Sequence, residues 1–162
     1  MQRNLSAKPT IKNVANGDAD YRYERTMVDD LSALVTSQKG PVRCFEVTQE
    51  FDYAAGRTDL VGLGRQDTLH AFETKLAKWR KALDQARRNG CFAHYCYVAL
   101  PKRAALLALK AREEFRRHGV GLVVLAGKEA RLAIRPRKKA PLLPWLTETA
   151  LSLLSAPQAV EK

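Results

Sequence analysis

RTDLVGLGRQDTLHAFETKL, residues 57–76, decides how the chain folds. Two apolar-rich runs, 57–63 and 68–76, flank GRQD at 64–67, and Gly64 with its polar neighbours suits a hairpin turn. The second run alternates and carries Glu73 and Lys75, opposite charges two positions apart. A period of two places both side chains on one face of a strand. If the turn centres on Gln66, Asp59 lies directly opposite Glu73. Directly opposed Cβ atoms are about 4.5–5.5 Å apart, a distance at which two carboxylates repel. Such a pair needs a cation or a shared proton. Lys75 supplies one positive charge, and a divalent ion would supply the rest. Hard carboxylate oxygens suit Mg²⁺ or Mn²⁺, with the main-chain carbonyl of Thr74 as a further ligand.

Working outward, Tyr23, Met27, Leu31, Leu34 and Val35 recur at three- and four-residue spacing, which predicts a helix from Tyr21 to about Gln38. VRCFEVTQEF (42–51) alternates as a strand. A helix from about Ala77 to Asn89 follows the hairpin, closed by Gly90. CFAHYCYVAL (91–100) reads as a buried strand, residues 102–119 as one helix closed by Gly119, VGLVVLA (120–126) as a core strand and ARLAIRP (130–136) as an edge strand. The order gives an α/β chain, an α+β mixed sheet covered by helices: α-β-β-β-α-β with a following α-β-β unit. Residues 1–20 are expected to form a flexible arm, 21–136 the domain, and 137–162 a basic linker, a C-terminal helix with Pro144 near its start, and a tail. Trp145, with Leu142, Leu143, Leu146, Leu151 and Leu154, caps the core or forms a dimer contact, with capping favoured.

The 28 Lys and Arg against 17 Asp and Glu give a net charge of +11, which favours a polyanion, nucleic acid before an anionic membrane. No apolar run approaches the roughly 20 residues of a membrane span. Cys44, Cys91 and Cys96 are odd in number and lack CxxC spacing, so free thiols in a reducing, cytoplasmic setting are expected. No phosphate-binding GxxxxGK[ST], nucleophile-elbow GxSxG or zinc-binding HExxH is present.

A metal held by Asp59 and Glu73 suits phosphodiester hydrolysis, with Lys75 orienting water or stabilising charge on the phosphate. Asp59 followed by Glu73-Thr74-Lys75 resembles the D…(D/E)-x-K signature of the PD-(D/E)xK nuclease superfamily, which includes restriction endonucleases, RecB-type nucleases and Holliday junction resolvases. GRTDLVGL, LHAFETKLAKWRKALDQA and FAHYCYVALP carry the likeness, over roughly residues 21–135. The resemblance implies a restriction endonuclease-like core and a Mg²⁺- or Mn²⁺-dependent deoxyribonuclease, an endonuclease ahead of an exonuclease, with DNA as partner and room for a homodimer. It also implies a catalytic role for Gln85, in the helix after the motif, and for Glu24 near the metal. Glu24 reads equally well as an ordinary acid at a helix start. Two positions depart from the pattern: Thr58 stands where the family's proline would be, and Asn89 where RecB-like members carry Tyr.

Lys78, Lys81, Gln85 and Arg88 fall on one stripe of that helix, and Trp79, Leu83 and Ala86 on another. The basic stripe, joined by Arg57 beside Asp59, could hold a phosphate backbone or be a solvated face. Arg116, Arg117, Arg135, Arg137, Lys138 and Lys139 read better as exposed linker charge than as a second patch. Two alternatives to a nuclease stand beside it: a non-catalytic nucleic-acid-binding module on the same fold, and a plain interaction protein in which Glu73 and Lys75 are a surface ion pair.

Overall fold

Met27, Val28, Leu31 and Val35 become the buried face of helix α1 (Glu24–Thr36) in the computed structural model of the protein, which describes residues 21–155. The arm expected at residues 1–20 and the tail from 156 onward lie outside the described residues. Strands β1 (Glu46–Tyr53), β2 (Gly56–Leu63) and β3 (Leu69–Thr74) form an antiparallel meander. The turn between β2 and β3 centres on Gln66, so Leu63 pairs with Leu69 and Leu60 with Phe72. Gln66 and Asp67 both adopt left-handed backbone angles, with φ of 56° and 53°, which close the turn without a glycine.

Helix α2 (Trp79–Arg88) leads to β4 (Tyr95–Pro101), parallel to β3. Residues 89–91 form a short 3₁₀ turn rather than the start of β4. The helix expected over 102–119 is two helices, α3 (Lys102–Leu109) and α4 (Arg112–His118), broken at Lys110 and Ala111. No Gly or Pro marks the break, so hydrophobic periodicity reads straight through it. After the break, Phe115 is fully buried and stacks at 5.9 Å on Trp79. Gly119, at φ 65°, ends α4 in the left-handed conformation that glycine adopts at little cost. Strand β5 (Gly121–Ala126) is parallel to β4, and β6 (Glu129–Ile134) is antiparallel to β5 at the far edge.

Among the described residues the result is an α+β fold with a six-stranded mixed sheet in sequential order and five α-helices. Alternate strand residues feed two cores. Leu60, Phe72, Tyr97 and Val123 pack with α1, while Val61, Ala71, Val98 and Leu122 face the other way among α2, α3, α4 and a last helix, α5 (Pro144–Ser155). Before α5, the basic stretch expected as a linker is held to the body. Main-chain N–H groups of Arg137, Lys139 and Leu143 donate to carbonyls of Gly119, His94 and Cys91 at 3.0, 2.9 and 2.8 Å. Helix α5 begins at Pro144 and caps the core with Leu146, Ala150 and Leu154 over β1 and β2, whereas Trp145 and Leu143, expected in the cap, are exposed. Leu142 and Leu153 stay exposed as well.

Candidate functional site

The acids and lysine of the hairpin meet where β2 and β3 part company. The register is the one the turn requires, but the side-chain directions are not those of a regular ladder. On β1, Gln49 reaches Asp29 of α1, whereas Phe51 packs at 5.0 Å on Phe92 in the opposite core. On β2, Leu60 faces α1, whereas Thr58 bonds Asn89 beyond α2. Both strands therefore switch faces at one step. The residues at that step, Glu50 and Asp59, drop out of the pairing between Gln49–Leu60 and Phe51–Thr58, and Glu50 takes a φ of 56°. A non-glycine residue in that region inside a strand is strained by about 1–3 kcal/mol.

The switch corrects the expectation that Asp59 and Glu73 simply oppose each other on one face. Asp59 turns over the end of β3, where its Oδ2 accepts the Thr74 N–H at 2.8 Å and the Thr74 hydroxyl at 3.0 Å. It opens onto a cavity of about 370 Å³ lined by Glu24, Arg25, Val28, Gln49, Glu50 and Thr74. Glu73 points to the α2 side and is 1% exposed. Burial pushes its carboxyl up to about 8, and the neighbouring Asp59 adds to the rise, while an Asn89 hydrogen bond and the Lys75 charge oppose it. Glu73 is thus no half of a surface ion pair.

Lys75 lies just past the end of β3, which stops at Thr74 rather than at residue 76. Its Nζ sits 3.2 Å from Glu24 Oε2, so Glu24, at the first position of α1, is engaged with the lysine. Among the described residues no group of three or more His, Cys, Asp and Glu side chains is arranged to hold a metal ion. The groups that converge here are the carboxylates of Asp59 and Glu73 with the N–H and hydroxyl of Thr74.

Asn89 is the residue that sequence reasoning missed. It is fully buried, and its Nδ2 donates to Glu73 Oε1 at 2.8 Å. Its Oδ1 accepts from Tyr53 at 2.7 Å and from Thr58 at 2.8 Å. The one signal in the sequence was its departure from the Tyr of RecB-like members, one helical turn after Gln85. Gln85 itself reaches neither Asp59 nor Glu73; its Oε1 is buried without a hydrogen-bond partner beside a small cleft lined by Tyr53, Arg57, Arg88 and Asn89.

Lys78, Lys81 and Arg88 are exposed, with Lys78 at the N-cap position of α2 but making no side-chain cap hydrogen bond. Gln85 breaks the stripe, being half-buried between them. Arg57 is exposed and paired with Asp52 at 2.6 Å. Arg80 is committed elsewhere, over the Trp79 ring at 4.2 Å and onto both oxygens of Glu114. Among the described residues no helix is long and apolar enough to cross a membrane.

No protein-family model matches the chain, and no curated protein matches it. Among solved structures, the SPO1766 protein of unknown function from Silicibacter pomeroyi is similar to it, with a TM-score of 0.61 over 83% of this chain and 84% of that one. The sequences are 15% identical, so the likeness is one of fold.

Proposed function

We propose that the protein is a metal-dependent nuclease of the PD-(D/E)xK type, hydrolysing phosphodiester bonds of DNA on a restriction endonuclease-like core. The observation that carries the reading is the convergence of Asp59, a buried Glu73 and Lys75 at the end of the β2–β3 hairpin. The element order supports it: a helix, an antiparallel meander bearing the acids, then a helix and a parallel strand. The donor set fits a hard cation. Two carboxylates sit close enough for one to raise the other's pKa, and Lys75 gives a single positive charge against them.

Asp59, Glu73 and the carbonyl of Thr74 would hold Mg²⁺ or Mn²⁺. When bound, the ion would polarise a phosphate oxygen and lower the pKa of a water. Lys75 orients the attacking water and offsets charge growing on the phosphate. Glu24 keeps the ammonium at the site through their ion pair. Lys78, Lys81 and Arg88 hold the sugar–phosphate backbone alongside, and Arg57 extends that surface towards β1.

Cleavage of duplex, single-stranded and branched DNA should require Mg²⁺ or Mn²⁺ and stop with chelator. Asp59→Ala and Lys75→Ala should each lower the rate by about 10²-fold or more. If no DNA form is cut with either ion while DNA still binds, the non-catalytic binding module takes the nuclease's place. Replacing Lys78, Lys81 and Arg88 by Gln should flatten the dependence of log Kd on log salt by about 0.9 for each phosphate that is no longer neutralised. An unchanged slope would remove this stripe from the DNA path.

A further inference from the structure

We propose that Asn89 is the positioning residue for Glu73, with Tyr53 and Thr58 locking its amide in the one orientation that serves; the proposal rests on the nuclease reading of the site. With a cation bound Glu73 is ionised, and an ionised carboxylate only accepts hydrogen bonds, so the group facing it must then be the NH₂ of Asn89, as it is here. That leaves Oδ1 on the far side, where two hydroxyls converge at 2.7 and 2.8 Å. A flipped amide would set an oxygen against the Glu73 carboxylate, so the two hydroxyls and the acid all favour the same orientation. Asn89 is fully buried, so water does not substitute for any of these partners.

The consequence lies in what each oxygen of Glu73 does. Oε1 is taken by Asn89. Oε2 is then the oxygen available to a cation at the open end of the hairpin. A buried carboxylate held on one side cannot swing, and ligands held by outer partners bind metal more tightly by about 10–100-fold. The network also spans four elements: Tyr53 from β1, Thr58 from β2, Glu73 from β3 and Asn89 from the end of α2. The strands splay at Asp59, and this lattice of side-chain bonds replaces the missing ladder there. Thr58 and Asn89 are the two positions at which the sequence departs from the family pattern, and they bond directly to each other.

The test is the double variant Tyr53→Phe with Thr58→Val, which keeps shape, leaves Asn89 and Glu73 intact and removes both hydroxyl donors. Mn²⁺ affinity is measured by titration calorimetry, and the Asn89 side-chain amide is followed by nitrogen-correlated NMR. The expected result is an Asn89 amide protected from exchange in the parent and unprotected in the variant. Mn²⁺ affinity should fall about 10–100-fold, with kcat lower and KM for DNA unchanged. An unchanged Mn²⁺ affinity alongside lost amide protection would overturn the proposal. If the double variant fails to fold, Asn89→Asp replaces it, setting an acceptor of the same shape against Glu73; retained Mn²⁺ affinity there would overturn the proposal equally. A parent that takes up no Mn²⁺ defeats the metal reading of the site instead. The Asn89–Glu73 pairing is then decided by Glu73→Gln, which supports it by shifting the Asn89 amide resonance and overturns it by leaving that resonance in place.

Discussion

Glu73→Gln is expected to lower metal-dependent DNA cleavage by about 10³-fold and, at pH 8, to raise the melting temperature. The activity loss follows from removing an anionic ligand, since a neutral amide oxygen is a poor substitute for carboxylate at a hard cation. The stability gain has a separate cause. Glu73 is 1% exposed, and burial pushes its carboxyl up to about 8. Ionising it in the metal-free fold is therefore unfavourable, and Gln removes that cost while still accepting from Asn89. The gain should appear at pH 8 and vanish near pH 5, where Glu73 is already neutral in the native state. A variant that keeps its cleavage rate, or that melts lower at pH 8 than the parent, would contradict this account. The expected pairing of lost activity with gained stability is the usual signature of a strained functional group.

The second large effect is the pH dependence of the metal-free protein. The native pKa of Glu73 is raised, so between about 4.5 and about 8 the folded state binds a proton that the unfolded state has released. Stability from this group is full at the acid end and declines as pH rises through the window, by up to about 1.4 kcal/mol per pH unit. Mg²⁺ or Mn²⁺ should reverse the decline, because the ion stabilises the ionised form. Uptake near pH 7 should release close to one proton, seen as a calorimetric heat that varies with the ionisation enthalpy of the buffer. Thermal unfolding that is flat or rising across pH 5–8 without metal would count against this assignment, as would ion uptake without proton release.

The hairpin was legible because one turn sets its register. Gly64 and its polar neighbours locate the bend, and the pairing of Leu60–Leu63 with Leu69–Phe72 follows from it, whereas Asp59 just beyond leaves the ladder. Helix α5 was legible from Pro144 and its leucines. What the sequence hid are features that depend on distant partners. The face switch at Glu50 and Asp59 needs a left-handed backbone at a glutamate, and no propensity flags that. The division of 102–119 into α3 and α4 lacks a breaker residue. Asn89 lies sixteen residues from Glu73 and thirty-six from Tyr53, so its role exists only after the sheet is assembled. Gln85, singled out by resemblance, has a buried oxygen without a partner, while the neighbour that broke the pattern carries the hydrogen bonds.

The cover that α5 gives to β1 and β2 has a consequence for synthesis. Ribosomes deliver the chain from its N-terminus, so the hairpin bearing Asp59 leaves the exit tunnel roughly eighty residues before Leu146, Ala150 and Leu154 arrive to bury its inner face. Until then the part of that face on β1 and β2 that α5 covers stays open, and the closing contact is a long-range one that forms slowly. A growing polypeptide therefore carries the Asp59 hairpin with part of its core uncovered until helix α5 docks.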